Sequence, residues 1–126
     1  MPRFVVLEHD HPVLHWDLML EADGVLHTWR LAQPPLPSSS AIEAMRLPDH
    51  RMLYLEYEGP VSGDRGVVKR WDAGVFKEDM HSSPTARILE MHGKLLQGCI
   101  HLDLIDNTTW RLEFLAPGSR SLTPDP

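Results

Sequence analysis

The chain has 126 residues and a mass of 14.4 kDa, with 42% apolar residues, which suffices for one hydrophobic core and is too little for two. Eighteen acidic against twelve basic residues leave a formal net charge of −6, which argues against a protein that coats nucleic acid through bulk charge. No stretch reaches the ~20 apolar residues of a membrane span and no signal-peptide pattern opens the chain, so we expect a soluble, cytoplasmic protein without a membrane partner.

Short runs of alternating apolar and polar residues, separated by Gly, Pro and Asp, dominate the chain. This pattern is typical of strands rather than of amphipathic helices. We predict eight strands, over residues 3–8, 14–20, 25–29, 52–57, 66–71, 86–91, 98–104 and 109–115. Eight short strands indicate a mainly β fold, a small antiparallel β-barrel of about eight strands with one or two short helices.

Turn residues separate several of these strands. Asp23-Gly24 supplies the positive φ that a tight hairpin needs, and a similar turn is expected over residues 72–74. Residues 33–37, rich in proline, cannot form regular structure. Ser40 and Glu43 then have the spacing of a capping box.

The capping box predicts a short helix over residues 41–45. The end of the chain, residues 117–126, contains three prolines and no apolar periodicity, which predicts a flexible tail. The predicted domain organisation is therefore one barrel domain over residues 1–116 followed by this tail.

The second predicted strand has unusually regular alternation. One face carries Leu14, Trp16, Leu18 and Leu20, and the other carries His15, Asp17, Met19 and Glu21. His15 and Asp17 stand about 7 Å apart along the backbone, so both side chains can reach one ion. If the first two strands pair, His9 returns beside His15. Two imidazoles and one carboxylate leave coordination positions open, as a catalytic metal requires; the alternative is an ordinary hydrated strand face.

Two other histidines are predicted to be uninvolved. His11, between Asp10 and Pro12, is expected to be an exposed turn residue. His101 and Asp103 repeat the His-x-Asp spacing, but no further histidine flanks them closely. We therefore interpret them as a polar strand face.

A second candidate pair precedes the predicted strand over residues 52–57. Arg46 and His50 place a cation and a titratable imidazole at the entrance of that strand. Such a pair can hold a phosphate and pass protons near neutral pH; the alternative is a polar loop. Tyr54 follows, and an aromatic residue there is more often packed than in contact with a ligand.

Taken together, these segments resemble the 3′-phosphoesterase domain at the N-terminus of bacterial end-joining DNA ligases, which also occurs as a free-standing protein. The similarity runs in order from about residue 3 to residue 115. It rests mainly on Phe4-Val5-Val6, His9-Asp10, Leu14-His15-Trp16-Asp17, Arg46-Leu47-Pro48-Asp49-His50, Trp71-Asp72-Ala73-Gly74 and Gly93-Lys94-Leu95-Leu96-Gln97-Gly98.

The resemblance implies a barrel that holds a divalent metal, usually Mn²⁺ with Zn²⁺ or Co²⁺ as alternatives, through His9, His15 and Asp17. It implies that Arg46, His50 and Tyr54 bind the phosphate. The implied reactions remove a 3′-phosphate or a 3′-terminal ribonucleotide from DNA, in repair by non-homologous end joining with a polymerase and a ligase as partners. Supporting roles beside the metal ligands are predicted for Glu21 and Asp10.

Two departures from the family pattern affect the phosphate grip. Met19 stands where the family has an arginine, and Gln33 aligns with a family lysine. Losing one well-placed phosphate donor commonly costs ~10²–10³ in rate. Candidate replacements are Arg30, Arg65 and Arg70.

Three hypotheses therefore remain open. The first is a metal-dependent phosphoesterase that acts on DNA 3′ ends or on another phosphate ester. The second is a catalytically weakened relative that binds a metal and a DNA end or repair partner. The third is an iron(II) oxygenase, since two histidines and one carboxylate are also its ligand set.

Overall fold

The computed structural model describes residues 1–37 and 40–115, so the predicted tail lies outside the described residues. This part contains one 3-10 helix, Met52–Leu55, and nine strands: β1 Arg3–His9, β2 His15–Ala22, β3 Val25–Leu31, β4 Ile42–His50, β5 Gly59–Pro60, β6 Val67–Glu78, β7 Ala86–His92, β8 Gln97–Asp106 and β9 Thr109–Phe114. None of its helices is long and apolar enough to cross a membrane.

Eight of the strands close into an antiparallel barrel in the order β1-β2-β3-β4-β9-β8-β7-β6. The ring closes because β1 pairs with β2 on one side and with β6 on the other. The two-residue strand β5 adds to β6 outside the ring. The predicted mainly β antiparallel barrel is confirmed.

The barrel interior is the main hydrophobic core. Leu18 and Leu20 of β2 point into it, with Trp16 packed against its edge, as the alternation of β2 predicts. The ring of Trp29 contacts that of Trp110 edge to face, with centroids 5.3 Å apart. Leu14 is an exception, because it precedes β2 and is exposed.

A second apolar cluster lies on the outside of the barrel, over β1 and β2. It contains Val5, Leu7, Met19, Leu26, Leu55 and Val68. Leu55 comes from the 3-10 helix, which packs across the outer face of these strands. The outer face of β2 is therefore buried, and the alternative of a hydrated strand face is wrong.

The helix predicted over residues 41–45 is wrong. Residues from Ile42 onward form β4, which pairs with β3 and β9. Ile42 and Ala44 are buried while Glu43 and Met45 are exposed. This alternation with period two is that of a strand, whose successive side chains point to opposite faces. Pairing on both edges of β4 outweighs the local capping preference.

Two further predictions are corrected. Of residues 52–57, which were predicted to form a strand, Met52–Leu55 form the 3-10 helix, in which only Leu55 is buried. The turn predicted over 72–74 is instead the middle of β6. Asp72 there is buried and accepts hydrogen bonds from the backbone amides of Lys94, Leu95 and Leu96, so it caps a distant loop rather than forming a local turn.

The hairpin between β2 and β3 is confirmed as predicted. Ala22 pairs with Val25, and the two residues between them have positive φ, 51° at Asp23 and 83° at Gly24. These angles are those of the tight turn that suits the twist of paired strands. Residues 33–37 lie outside regular structure, also as predicted.

Candidate metal centre

The hairpin of β1 and β2 brings two imidazoles and a carboxylate together. His9 and His15 are directly opposite each other in the ladder, with ring centroids 4.8 Å apart. Asp17 lies two residues beyond His15 and so shares its face. One ligand atom from each residue lies within 4.8 Å of the others. The predicted cluster therefore forms from pairing between two adjacent strands.

Backbone carbonyls determine which nitrogen of each ring carries hydrogen. His9 Nε2 lies 2.7 Å from the carbonyl oxygen of Arg65, and His15 Nδ1 lies 2.8 Å from that of Val13. A carbonyl can only accept, so both of these nitrogens donate. In the neutral rings, His9 Nδ1 and His15 Nε2 then present lone pairs.

These lone pairs face the carboxylate of Asp17. His9 Nδ1 is 3.5 Å from Oδ2, and His15 Nε2 is 3.2 Å from both carboxylate oxygens. Asp17 is 3% exposed, and its Oδ1 has no hydrogen-bond partner among the described residues. Acceptors that face one another in a buried site repel unless a cation lies between them.

A divalent metal fits this arrangement. Ligand atoms bound at ~2.0–2.2 Å around one ion in tetrahedral or octahedral geometry lie about 3–3.5 Å apart, close to the distances from Asp17 to the two rings. Each imidazole also donates its other N–H to a carbonyl, which orients the ring and raises its basicity as a ligand. His9, His15 and Asp17 can thus hold a divalent ion and leave other positions open.

The loop before β6 supports His9. Asp10 Oδ1 accepts the backbone N–H of Val67 at 2.8 Å, and this bond ties the turn after β1 to the residues that carry the Arg65 carbonyl. Gly66 has a φ of 78°, and a Cβ there would lie 2.2 Å from Asp10 Oδ1. Asp10 Oδ1 therefore bonds to the loop that carries the Arg65 carbonyl rather than to either imidazole ring.

The cluster opens into a pocket of about 320 Å³. Its walls include two of the predicted catalytic residues, His50 and Tyr54, together with Arg30, Arg65 and Met19. His50 Nδ1 donates to the carbonyl of Pro48 at 2.9 Å, so its Nε2 remains available. The ring of His50 meets that of Tyr54 edge to face at 5.7 Å.

The charge of this pocket is opposite to that of the whole chain. Three histidines, two arginines and one tyrosine line it, against one carboxylate, Asp17. The protein carries a net charge of −6, so the local balance does not reflect the overall composition. A concave site of this kind attracts anions.

The structure places Arg46 elsewhere. It is the ladder partner of Trp29, so its side chain lies on the inner face of the sheet, 4.7 Å above the Trp29 ring. Its guanidinium donates to Asp49 at 3.1 Å. Arg46 does not line the pocket of the metal cluster.

Arg46 instead borders a polar network at the mouth of the barrel, with His27, Glu78 and Arg87. Arg87 donates twice to Glu78, at 2.8 and 2.7 Å, which lowers the pKa of Glu78. Burial, reinforced by the charges of Arg46 and Arg87, lowers the pKa of His27. His27 is thus favoured as the neutral acceptor of a hydrogen bond from Arg87.

Glu21 also lies away from the cluster. Its carboxylate accepts the backbone N–H of Arg3 at 2.8 Å, at the start of β1. Backbone carbonyls rather than Glu21 orient the two rings. His101 and Asp103 lie together on β8, 4.0 Å apart, and join no group of three ligands in the described part of the chain.

Sequence reasoning did not place several residues that the fold brings to the site. The sequence pointed to Arg30, Arg65 and Arg70 as candidates without indicating which of them reach the site. The fold brings Arg30 and Arg65 to the pocket. Arg65 also contributes its carbonyl, which has no sequence signal because every residue carries one. Gln33 is exposed and does not line the pocket. Arg70 donates to the carbonyl of Leu55 and lies outside it as well.

The fold and the site together define a small antiparallel barrel with a candidate divalent-metal cluster at the base of a cationic pocket. The chain belongs to the DNA ligase D 3′-phosphoesterase domain family, whose model matches residues 7–105. The resemblance described from the sequence motifs is thereby confirmed.

The sequences of three relatives support this family assignment. The multifunctional non-homologous end joining DNA repair protein LigD of Mycobacterium tuberculosis is 32% identical over 115 residues, covering 85% of this chain and 15% of that protein. LigD of Pseudomonas aeruginosa is 33% identical over 78 residues, covering 59% and 9%. LigD of Mycolicibacterium smegmatis is 28% identical over 123 residues, covering 86% and 16%. The chain thus spans about 15% of the length of its mycobacterial relatives.

Proposed function

We propose that this chain is a divalent-metal-dependent phosphoesterase that removes a 3′-phosphate, or a 3′-terminal ribonucleotide, from DNA ends during non-homologous end joining. The supporting observation is the pocket in which Asp17 and His9 share one space with His50, Tyr54 and Arg30. It combines a ligand set for a metal with cationic and hydrogen-bonding groups for a phosphate. Family membership supports the same reaction class.

The proposed chemistry needs charge neutralisation at phosphorus and an activated water. A divalent ion held by His9, His15 and Asp17 would supply both, through charge neutralisation of the phosphoryl oxygens and a more acidic water. The attacking oxygen of the water forms a bond to phosphorus while the bond from phosphorus to the 3′-oxygen breaks. The departing 3′-oxygen takes up a proton and becomes the 3′-hydroxyl.

His50 is the proposed source of that proton. Its Nδ1 is occupied by the Pro48 carbonyl, so a protonated His50 carries its second hydrogen on Nε2, on the side of the pocket. In that form the ring can stabilise charge on the phosphate and protonate the departing oxygen. We assign Tyr54 a hydrogen bond to a phosphate oxygen, and its edge contact with His50 orients both rings.

Arg46 has a positioning role in this proposal. Its guanidinium donates to the carbonyl of Leu47 at 2.7 Å and to Asp49 at 3.1 Å. These bonds hold the end of β4 from which His50 projects. Arg46 thus acts on the phosphate through the placement of His50.

We propose Mn²⁺ as the working metal, since a mixed imidazole and carboxylate set suits it, and Zn²⁺ or Co²⁺ as substitutes. The proposed partners are DNA 3′ ends and the polymerase and ligase activities that use the resulting 3′-hydroxyl. We propose that the protein carries out this reaction in the cytoplasm.

The test is phosphate release from a primer–template that ends in a 3′-phosphate, with Mn²⁺, Zn²⁺ or Co²⁺ added to the metal-stripped protein. A second substrate ends in a single 3′-ribonucleotide. Release by the wild type, and its loss in His50→Gln with metal binding intact, are expected. His92→Gln, a change in an exposed histidine far from the pocket, is the matched control.

Other results would overturn the proposal. Metal binding without release from either substrate would favour the second hypothesis, a relative that binds a DNA end or repair partner. Turnover only with iron(II), oxygen and an organic co-substrate would favour the oxygenase.

A further inference from the structure

Asp17 and Arg30 are opposite charges that face each other without forming an ion pair. They are direct partners in the ladder between β2 and β3, so their side chains project from the same face. No salt bridge joins them within the described residues. Asp17 Oδ1 and Arg30 Nε are both buried without a hydrogen-bond partner in this part of the chain.

The Nε of Arg30 is buried without a hydrogen-bond partner, whereas several other arginines of the described chain have polar partners. Those at positions 3, 46, 87 and 111 each hold a carboxylate. Arg65 donates to the carbonyl and hydroxyl of Ser62. Arg30 has no ion pair with any residue in ranges 1–37 and 40–115, although it is partly buried. Keeping a buried guanidinium N–H there without a hydrogen-bond partner costs free energy unless a ligand supplies one.

The neighbouring positions supply no second donor. Met19 follows Asp17 on the same face of β2, and its ladder partner is Thr28. The hydroxyl of Thr28 already donates to the carbonyl of Leu26 at 3.0 Å. Of the side chains that β2 and β3 direct outward, Arg30 therefore carries the only permanent positive charge. It lines the pocket that contains Asp17 and His50.

We propose that Arg30 binds the phosphate of the substrate and determines the preference for a 3′-phosphorylated end. Its guanidinium fork donates to two phosphate oxygens, on the side of the phosphate that faces β3. The metal ligand Asp17 stands opposite, so the same phosphate reaches both the metal cluster and Arg30. This inference rests on the proposed function and names one phosphate contact within it.

Arg30 also separates this pocket from an adjoining groove of about 440 Å³, which is lined in part by Leu14 and Met45. Both of these apolar side chains are about half exposed. A phosphate held by Arg30 would therefore lie at the boundary between the polar pocket and an apolar surface. This position suits the terminal nucleotide of a strand, whose phosphate is charged and whose base is apolar on its faces.

The test compares Arg30→Gln and Arg30→Lys with the wild type. Arg111→Gln, in which an exposed arginine paired with Glu113 is changed, is the control. Affinity is measured for two oligonucleotide duplexes that differ only in a 3′-phosphate or a 3′-hydroxyl, with Ca²⁺ in place of Mn²⁺ to slow turnover. Mn²⁺ affinity is measured separately by titration, and phosphate release is followed with Mn²⁺.

We expect Arg30→Gln to lose the preference for the phosphorylated duplex and to lower kcat/KM by about 10²–10³, with Mn²⁺ still bound at one site. Arg30→Lys should recover part of the preference, since an ammonium keeps the charge and loses the fork. If the wild type prefers phosphorylated ends and Arg30→Gln keeps that preference in full, the assignment of Arg30 is wrong. If the wild type neither prefers nor cleaves phosphorylated ends, the proposed function itself fails.

Discussion

His9 Nδ1 lies 3.5 Å from Asp17 Oδ2, and in the neutral ring no hydrogen atom stands between them. The other ring nitrogen of His9 already donates to the Arg65 carbonyl. The contact is therefore between two acceptors, and His15, on the same strand as Asp17, repeats it. A cation relieves this repulsion, either as a proton on a ring or as a metal ion.

Asp17→Asn tests the repulsion directly. The amide of asparagine can donate to the lone pair of His9 or His15, so the metal-free protein should be as stable as the wild type or up to ~1 kcal/mol more stable. The rise in Tm on adding Mn²⁺ or Zn²⁺, which follows from binding to the folded state alone, should disappear. Thermal unfolding with and without metal measures both. A clear loss of metal-free stability would contradict the acceptor arrangement.

His15→Ala tests the ligand set against a matched control. The variant should lose at least ~100-fold in metal affinity, because one of three ligands is removed. His101→Ala changes the same His-x-Asp spacing on β8, where no third ligand joins it among the described residues, and should bind metal like the wild type. Titration calorimetry and metal analysis after dialysis measure the difference. Equal losses of metal affinity in both variants would show that the His-x-Asp spacing alone, without the third ligand brought by the hairpin, is enough to bind the metal.

Asp72→Ala should destabilise the fold strongly while leaving the metal centre intact. The carboxylate accepts the amides of three successive residues, 94–96, and its removal leaves the buried amide of Leu96 and two part-buried amides without this partner. We expect a loss of about 3 kcal/mol or more in the free energy of unfolding, and a smaller loss for Asp72→Asn. Denaturant unfolding gives these values. Asp103→Ala, a change in a partly exposed carboxylate, should cost little.

The stability of the protein should fall on mild acidification because of His27. Burial and two arginines lower its pKa in the folded state, so the unfolded chain takes up the proton first. The stabilising contribution of the neutral ring is therefore present above the ordinary histidine pKa and is lost as the pH falls through the lowered value. In His27→Asn, whose side-chain oxygen can still accept from Arg87, the loss between pH 7 and pH 5 should be smaller.

The measurement for His27 is Tm at both pH values in metal-free buffer, compared between variant and wild type so that the contributions of groups common to both proteins cancel. His92→Asn changes an exposed histidine paired with Glu90 and should keep the wild-type dependence. If the Tm of His27→Asn changes with pH as much as that of the wild type, the polar network at the barrel mouth is not the source of the pH dependence.

Local patterns predicted much of the fold. Alternation located most of the strands, and Asp23-Gly24 located a hairpin, because strand period and turn chemistry depend on near neighbours. The same reasoning failed at residues 41–45 and 72–74. There, pairing of β4 with two strands and capping of a distant loop by Asp72 outweighed local preference. Neither contact has a signature within a short window of sequence.

The candidate metal cluster was predictable for the same reason. His15 and Asp17 share a face through the period of one strand, and His9 meets His15 across one short turn. These relationships require only that β1 pairs with β2. The amino-acid sequence by itself therefore determined the cluster and the family.

Tertiary structure alone decided what surrounds the cluster. Closure of the barrel brings the loop of Arg65 to His9, and β3 and β4 carry Arg30 and His50 to the same pocket, while Arg46 is turned to the inner face. Leu55 of the 3-10 helix buries the outer face on which Asp17 lies. The physical reason is that burial and electrostatics depend on neighbours that are distant in the chain, whose approach is determined only when the whole barrel closes.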